Sequence, residues 1–260
     1  MIRAMWTAAS GMQAQQLNVD TISNNLANVN TTAYKKERVE FKDLLYQQLA
    51  YDEGRPVNLM VGHGVRPSAT VKDFSEGSLQ ETDNPLDLAI DGEGFFVVLD
   101  PNGRELYTRD GSFKLSVDGD TAMLTTSDGY PVLDSSGAEI YFDANQKNIS
   151  ISKSGIISVK NDDGTVEEIT RIGTARFLNP NGLEALGDNL YAQTAASGEP
   201  LYEDETNTTS NILQGFLETS NVQVVQEMVN LITAQRAYEV NSKSIQTADE
   251  MLSITNNLKR

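Results

Sequence analysis

The sequence predicts an α+β protein. Long N- and C-terminal helices pack together as a coiled-coil-like domain, and the middle of the chain forms a β-rich hairpin or meander domain with a barrel-like shape. Three observations support this prediction. Apolar residues recur at helical spacing near both ends. Glycines that follow Asn, Asp or Ser recur every eight to ten residues in the middle. Almost all of the net negative charge lies between the two ends.

The N-terminal segment, residues 2–29, is predicted to be a helix. Its apolar residues follow one another at steps of three, four and seven, as one side of a helix requires. They are Met5, Ala9, Met12, Val19, Ile22, Leu26 and Val29.

Four asparagines lie near the end of this helix: Asn24, Asn25, Asn28 and Asn30. They have two interpretations, which the sequence does not separate. They either hydrogen-bond neighbouring subunits of an assembly or stop the helix locally, since Asn favours C-caps and turns.

The C-terminal segment, residues 222–258, is predicted to be a second helix, with Ser220 or Asn221 suited to cap its start. Its apolar stripe consists of Val225, Met228, Ile232, Tyr238, Ile245, Ala248 and Leu252. At ~1.5 Å per residue, both terminal helices are too long for one small globular domain to cover.

The β-rich middle is predicted from its turns. The turn glycines are Gly103, Gly111, Gly119, Gly129 and Gly137, and each pairing with a preceding Asn, Asp or Ser tolerates the positive φ of a tight turn. Further strands are expected at residues 140–142, 149–151, 156–159 and 175–178.

Residues 46–67 are predicted to form a loop or long hairpin. Phe41, Leu44 and Leu45 suggest a helix before it, which the glycines and prolines of the segment would end. The apolar residues Val57, Leu59, Met60, Val61 and Val65 favour docking on a neighbouring subunit. An ordinary connecting loop that folds on its own domain is the alternative.

The surface of the first helix favours a multi-chain helical core. Residues 4–19 contain no charged side chain and are rich in amides and hydroxyls, which hydrogen-bond to several neighbours at low desolvation cost. The alternative is that the two terminal helices only pair with each other within one monomer.

Charge and composition exclude several classes of function. Residues 73–217 carry 26 acidic and 8 basic side chains; residues 1–72 carry 6 and 8, and residues 218–260 carry 5 and 4. The formal charge of −17 argues against nucleic acid and anionic lipid as partners. The simplest interpretation of the acidic middle is a solvated domain that its carboxylates keep soluble. No stretch is long and apolar enough to cross a bilayer, so no direct membrane insertion is expected.

Catalytic and metal-binding motifs are also missing from the sequence. It has no cysteine, and its single histidine, His63, lies between two glycines. The Asp-Gly sites lack the spacing of a calcium loop, and no dinucleotide loop is found. We therefore expect no cofactor, no metal and no enzyme activity. A cell-wall glycan hydrolase remains a minor alternative, because paired carboxylates meet only in the fold.

Several segments resemble flagellar basal-body rod and hook proteins. They are NNLANVNTTAYK at 24–35, AIDGEGFF at 89–96, YTRDGSF at 107–113, ETSNV at 218–222 and QRAYE at 235–239. Within this family the chain is most similar to distal-rod members, with proximal-rod members as the alternative. One departure is Ala33, where the family commonly has Gly; a Cβ resists positive φ, so the turn into Tyr34 is expected to differ.

The resemblance implies a structural subunit that polymerises with itself into a rigid tube and transmits torque from motor to hook. It implies contacts with proximal rod proteins, the hook protein and surrounding ring proteins, and export by the flagellar type III apparatus without a cleaved signal peptide. The expected location is the rod of the basal body in the cell envelope.

The resemblance also suggests a division into three domains. Residues 1–32 and 218–260 form a helical inner core, 33–92 and 190–217 a connecting domain, and 93–189 a β-rich outer domain. The expected assembly interface is Met5, Met12, Val19, Ile22, Asn24, Asn25, Leu26, Asn28, Val225, Met228, Ile232, Tyr238, Ile245 and Leu252. The expected rod-stiffening segment is Val57, Leu59, Met60 and Val61.

Overall fold

The computed structural model describes residues 2–50, 59–143, 149–160, 165–203 and 209–257. The chain folds as two compact units. Unit 1 consists of Met1–Asn28, Lys36–Asp73 and Val222–Arg260, and unit 2 consists of Val29–Lys35 and Phe74–Asn221. The predicted α+β class is confirmed, because helices occupy both ends of the chain and strands its middle.

Unit 1 contains both helices, α1 (Ile2–Ala27) and α2 (Val224–Asn257). They are about 39 and 51 Å long at ~1.5 Å per residue. The two helices pack against each other in antiparallel orientation, with Gly11 beside Asn241 and Ala4 near Ala248. The two terminal helices therefore pair with each other within one monomer, as the alternative that the sequence left open proposed.

The predicted start of the second helix was wrong by a few residues. α2 begins at Val224, so the residue that precedes it is Gln223 and not Ser220 or Asn221. The side chain of Asn221 instead donates hydrogen bonds to the carbonyl oxygen and hydroxyl of Ser75, both at 3.1 Å. A polar side chain near a helix start thus serves a tertiary contact here rather than a cap.

Unit 1 also contains one long antiparallel hairpin. Its strands are β1 (Glu37–Asp43), β2 (Tyr46–Ala50), β3 (Leu59–Gly62) and β4 (Val65–Lys72). β1 pairs with β4, and β2 pairs with β3. The predicted hairpin is confirmed for these strands, and residues 51–58 lie outside the described residues.

The helix expected around Phe41, Leu44 and Leu45 was wrong. Phe41 lies in β1 opposite Pro67 of β4, and a register shift between Glu40 and Phe41 marks a bulge. Phe41 and Leu45 are exposed. Three apolar residues within five positions fit a helix and a bulged strand equally well, so cross-strand pairing decided the outcome.

Unit 2 is built from strands β5 to β20. They are β5 (Leu79–Glu81), β6 (Leu88–Asp91), β7 (Phe95–Leu99), β8 (Glu105–Thr108), β9 (Lys114–Asp118), β10 (Thr121–Thr125), β11 (Tyr141–Asp143), β12 (Ile149–Ile151), β13 (Ile156–Lys160), β14 (Val166–Arg171), β15 (Thr174–Arg176), β16 (Glu184–Gly187), β17 (Leu190–Ala192), β18 (Leu201–Tyr202), β19 (Asn211–Gln214) and β20 (Phe216–Glu218). A short 3₁₀ helix, Pro180–Gly182, precedes β16.

These strands form separate sheets. A six-stranded sheet has the order β16-β17-β8-β7-β15-β18, and two three-stranded sheets have the orders β11-β10-β9 and β12-β13-β14. β19 pairs with β6, and β20 pairs with β5. Among the described strands none of the sheets closes on itself, so the barrel-like shape was wrong, whereas the meander character is confirmed by the consecutive hairpins.

Two apolar clusters form the core of unit 2. The larger one packs β6, β7 and β10 against β13 and includes Leu88, Phe96, Val98, Leu124, Ile157 and Ile172, all 1% exposed or less. The second is aromatic and includes Phe95, Tyr107, Phe177 and Tyr191. Their rings meet edge to face, for example Tyr107 and Phe177 at 4.7 Å between centroids.

The predicted turn glycines have two different roles. Gly103, Gly119, Gly129 and Gly137 all have positive φ, as expected for tight turns. Gly111 does not: a Cβ there would lie 1.7 Å from the carbonyl oxygen of Leu88. Its role as a turn glycine was wrong, because it is close backbone packing that requires Gly at this position.

Candidate assembly interface

The face on which α2 meets α1 consists of small and polar side chains together with the partly buried Ile245 and Leu252. The buried residues of α2 are Glu227, Ala234 and Ala248. At Gly11 of α1 the helices approach so closely that an added Cβ would lie 2.8 Å from the Asn241 amide nitrogen. Pairing within the monomer therefore buries few large apolar side chains on α2.

The predicted apolar interface residues of α1 are buried or partly buried within unit 1. Ile22 is buried, and Met5, Met12, Val19 and Leu26 are partly buried. The exposed large apolar residues of α1 are instead Trp6 at 73% and Ile2 at 63% exposure, neither of which belongs to the predicted set. The regular spacing of the predicted residues gave no reason to single out these two.

The asparagines at the end of α1 make local bonds. Asn25 is buried and bonds Glu37 twice: its amide donates to the Glu37 carbonyl at 2.8 Å, and its oxygen accepts from the Glu37 N–H at 2.9 Å. The Asn28 amide donates to the backbone and side-chain oxygens of Asn24, both at 3.0 Å. The bonds between Asn28 and Asn24 are local to the end of α1, whereas the Asn25 pair is a tertiary contact with β1; bonding between subunits stays a prediction for all four asparagines.

The predicted interface residues of α2 divide between opposite faces. Ile245 and Leu252 are partly buried on one side, and Val225, Met228 and Ile232 are exposed on the other, Val225 at 77%. Tyr238 lies on the side of Ile245, seven residues before it, and is 39% exposed. The exposed apolar residues continue along the helix. We call them the outer apolar face: Val225, Met228, Val229, Ile232, Val240, Met251 and Ile254.

α2 thus carries large apolar residues on its water side as well as on its paired side, whereas the water side of a surface helix is ordinarily polar. Burying each Val, Met or Ile side chain contributes roughly 1.5 to 3 kcal/mol. In a monomer these side chains stay exposed and do not contribute this stabilisation. The outer apolar face is therefore the strongest candidate for an assembly interface in unit 1.

The long hairpin is attached to α1 at two positions. The Asn25–Glu37 pair holds the start of β1. At the other position, Gly64 approaches Ser10 so closely that a Cβ would lie 2.2 Å from the Ser10 hydroxyl, which accepts from the Val65 N–H at 3.4 Å. β1 and β4 therefore run beside α1 between residues 10 and 25.

The expected rod-stiffening residues belong to the distal part of this hairpin. Met60 pairs with Gln48 and Val61 with Gln47, and Leu59 begins β3 opposite Ala50. Met60 is 56% exposed, and Val61 is partly buried. Val57 lies outside the described residues.

A buried ion cluster, Lys35, Arg109 and Glu218, lies within unit 2. Lys35 Nζ is 2.6 Å from Glu218 Oε1, and the Arg109 guanidinium is 3.2 Å from Glu218 Oε2. Side-chain exposure is at most 4% for all three. One carboxylate thus faces two cations away from water, where an unpaired charge costs several kcal/mol.

Backbone groups complete the bonding of this cluster. Lys35 Nζ donates to the Ser75 carbonyl at 2.7 Å, and Arg109 Nε donates to the Gly94 carbonyl at 2.9 Å. Glu218 Oε1 accepts from the Gly77 N–H at 2.7 Å. Burial lowers the pKa of the Lys35 ammonium below its ordinary 10.5, and the Glu218 carboxylate opposes this shift.

The cluster holds together the segment that follows α1 and the segment that precedes α2. The Ala33 N–H donates to the Glu218 carbonyl at 2.8 Å, and the Asn221 N–H donates to the Tyr34 carbonyl at 3.3 Å. Ala33 has φ of 55°, so the turn expected to differ at this position keeps its left-handed conformation despite the Cβ. The expectation was wrong because these bonds hold the backbone in place.

The cluster residues were visible in the sequence as members of quoted motifs, but no role was assigned to them. Lys35 ends the first of three separate motifs, Arg109 lies within the second and Glu218 begins the third. The signal that could have identified them is chemical: these charged residues lie among apolar and turn residues, and such charges need partners when buried.

Family models match three parts of the chain. A flagellar basal-body rod protein model matches residues 5–35, a flagellar hook FlgE/F/G D1 domain model residues 89–159, and a flagellar basal-body rod FlgEFG C-terminal model residues 213–258.

Curated relatives match the full length. The flagellar basal-body rod protein FlgG of Borreliella burgdorferi is 48% identical and covers 100% of both chains. FlgG of Caulobacter vibrioides is 44% identical over 99% of this chain and 100% of its own, and FlgG of Bacillus subtilis is 36% identical over 100% of both. The chain belongs to the flagellar basal-body rod protein family.

This family is structural and not a family of enzymes, and its members are parts of the flagellum. Each residue of the buried ion cluster lies in a different family match: Lys35 in the first, Arg109 in the second and Glu218 in the third. The three matched regions of the family thus meet in one buried contact.

One solved structure has a weak likeness to part of the chain. The Helicobacter pylori flagellar hook protein FlgE2 aligns with 46% of this chain and 32% of its own, at 24% identity and a TM-score of 0.26, a likeness too weak to support an argument.

Within the described part of the chain, neither helix is long and apolar enough to span a membrane.

Proposed function

We propose that this chain is a subunit of the flagellar distal rod, which polymerises with itself into a rigid helical tube and transmits torque from motor to hook. The observation that supports polymerisation is the outer apolar face of α2, which is exposed in a single chain. In the tube, the terminal helices pack as a coiled-coil-like inner core, and neighbouring copies cover that face.

The proposal extends to the organisation of the subunit and its partners. Residues 1–32 and 218–260 form the inner core, 33–92 and 190–217 the connecting domain, and 93–189 the outer domain. The partners are proximal rod proteins, the hook protein, ring proteins and the type III export apparatus, and export proceeds without a cleaved signal peptide to the periplasmic part of the rod. Family membership is the basis of this part of the proposal.

The test is direct imaging of the purified protein. Electron microscopy of concentrated samples should show tubes of constant diameter, and the same samples should release no sugar from cell-wall glycan. A protein that stays monomeric under all conditions and releases sugar would support the glycan-processing alternative instead.

We further propose that the distal part of the long hairpin stiffens the tube, with Val57, Leu59, Met60 and Val61 contacting a neighbouring subunit. Met60 is paired with Gln48 through its backbone but leaves its side chain 56% exposed, which supports this role. Deleting residues 52–62 should leave polymerisation intact, because α1 and α2 are unchanged, but yield curved tubes.

Point variants make this test sharper. Met60→Gln should increase tube curvature measured by electron microscopy, whereas Met60→Leu, which keeps the apolar surface, should not. Straight tubes from both the deletion and Met60→Gln would refute the stiffening role while leaving the rod proposal standing.

A further inference from the structure

The only tryptophan of the chain, Trp6, is 73% exposed on α1. An indole is large and mostly apolar, and aromatic side chains of this kind typically bury about 150 to 250 Å² when covered. Its neighbour one turn earlier, Ile2, is 63% exposed. The N-terminal end of α1 therefore presents a protruding apolar side chain on a surface where no charged residue follows until Asp20.

Unit 1 also contains a groove of suitable size. It has a volume of about 510 Å³ and is lined by Ala4, Val240, Lys243, Ser244, Thr247, Ala248 and Met251. The hydroxyls of Ser244 and Thr247 donate to the backbone carbonyls of Val240 and Lys243, each at 2.9 Å. Because these hydroxyls bond to the helix itself, the groove has small side chains between larger walls and few free polar groups.

Trp6 cannot enter the groove of its own chain. Ala4, which lines the groove, is two residues before Trp6 on α1, and helical residues two apart point in widely different directions. Trp6 and the groove therefore belong to different faces of the same helix pair. A protruding group on one face and a recess on another make a head-to-tail contact, which generates a ring when the rotation between copies closes and an open helical filament when it does not.

The groove also has a charge that suits an indole. Lys243 is its one charged lining residue, and an ammonium over the face of a Trp ring is the most favourable cation–π arrangement in proteins. We propose that Trp6 of one subunit inserts into the groove of a neighbouring copy, between Val240 and Met251 and against Lys243. This proposal rests on the proposed polymer and adds to it the contact that joins successive subunits.

Tryptophan fluorescence tests the proposal directly, because Trp6 is the only indole in the chain. In the monomer, its emission should be that of a water-exposed indole and acrylamide should quench it fully. On polymerisation the emission should shift to the blue and quenching should fall severalfold. Polymers whose Trp6 is quenched as readily as in the monomer would overturn the inference and leave the proposed function intact.

A variant that fills the groove tests the other side of the proposed contact. Ser244→Leu places a larger side chain in the groove without changing Trp6, and it should raise the protein concentration needed for polymerisation at least about tenfold. The control is Asn256→Leu, an exposed polar position on α2 outside both the groove and the outer apolar face, which should leave that concentration unchanged. Equal effects of the two variants would contradict insertion at the groove.

Cross-linking decides the contact even if long polymers do not form. The chain has no cysteine, so Ile2→Cys, one turn before Trp6 on the same side of α1, combined with Ser244→Cys introduces one defined pair and keeps the indole. Mild oxidation should produce covalent dimers and higher ladders, whereas Ile2→Cys with Gln246→Cys should produce few. Absence of cross-linked species from the first pair would overturn the inference, and failure of the wild-type chain to polymerise would separately overturn the proposed function.

Discussion

The two units of this protein differ in where their large apolar side chains lie. In unit 2 most of them fill two cores, and the charged residues Lys35, Arg109 and Glu218 are buried with partners, although single apolar residues such as Leu178 and Val166 are exposed. In unit 1 the fully buried residues of α2 are Glu227, Ala234 and Ala248, and most of the large apolar residues of α2 are exposed. Unit 2 thus forms large cores within one chain, whereas α2 keeps a row of large apolar residues exposed.

The difference has a physical basis in helix stability. Isolated helices gain most of their stability from packing of an apolar face, and pairing through alanines and asparagines provides little of it. Covering the outer apolar face would stabilise the helices and the assembly together. Folding of unit 1 should therefore depend on protein concentration, and folding of unit 2 should not.

The largest effect is expected from removing the one carboxylate of the buried ion cluster. Glu218→Gln leaves Lys35 and Arg109 buried without a counter-charge, which should lower the free energy of unfolding of unit 2 by about 3 to 5 kcal/mol. Urea denaturation followed by near-UV circular dichroism measures this loss. Arg104→Gln removes an exposed ion pair with Asp100 in the same unit and should cost less than about 1 kcal/mol. Equal losses would mean that the cluster contributes no more than a surface pair.

The second prediction separates the two faces of α2. Ile232→Glu changes an exposed residue, so the monomer should keep its helix content while polymerisation requires at least about tenfold more protein, because burying a charge in an apolar contact is costly. Ile245→Glu changes a partly buried residue of the helix pair and should expose both termini to limited proteolysis of the monomer. Leu26→Glu should behave like Ile245→Glu.

Asn256→Glu serves as the control for added charge on α2, because Asn256 is exposed and lies on the side of α2 opposite to the outer apolar face. Sedimentation and circular dichroism distinguish the outcomes. Normal tubes from Ile232→Glu would show that the outer apolar face contacts solvent in the polymer.

A smaller effect is expected from pH. The pKa of Lys35 is lower in the folded chain than its ordinary 10.5, so between these two values the unfolded chain binds more protons than the folded one. The contribution of Lys35 to stability therefore rises with pH across that interval and is constant below it. Lys35→Met should remove this rise, measured as the difference between the two proteins in urea denaturation from pH 8 to about 10.5. An unchanged pH profile would contradict the burial of the ammonium group.

The smallest effect concerns Ala33. Ala33→Gly relieves a left-handed conformation that costs roughly 1 to 2 kcal/mol, but it loses a buried methyl group and adds backbone entropy to the unfolded chain. These contributions nearly cancel, so thermal unfolding should change by less than about 1 kcal/mol. Ala33→Val should destabilise by more than about 2 kcal/mol, because a β-branched residue fits neither the φ nor the space.

Local patterns predicted the helices and most strands of this fold. Steps of three and four placed α1 and α2 nearly residue for residue, and strands such as β12 and β13 lie where they were expected. The outer apolar face was not separated from the paired face, because periodicity shows that a helix has apolar sides and does not show which partner each side meets. Ile232 and Ile245 both belong to the predicted apolar stripe, but Ile232 is exposed whereas Ile245 is partly buried in the helix pair.

The buried ion cluster could not be predicted from local pattern at all. Glu218 is 183 residues from Lys35 and 109 from Arg109 in the chain, so no spacing rule connects them. The helix predicted around Phe41 was wrong for a related reason, since pairing of Phe41 with Pro67 across two strands outweighed the local preference for a helix. Contacts of this kind become visible only when the topology brings distant segments together.

The position of Glu218 near the end of the chain has a consequence for the time course of folding during synthesis. β19 and β20, which pair with β6 and β5, emerge from the ribosome more than a hundred residues after their partners. Until they arrive, Lys35 and Arg109 have no carboxylate between them, and closing unit 2 would bring two like charges together away from water. We therefore expect repulsion between these two cations to disfavour closure of the growing chain, so that unit 2 closes only once residue 218 has been made.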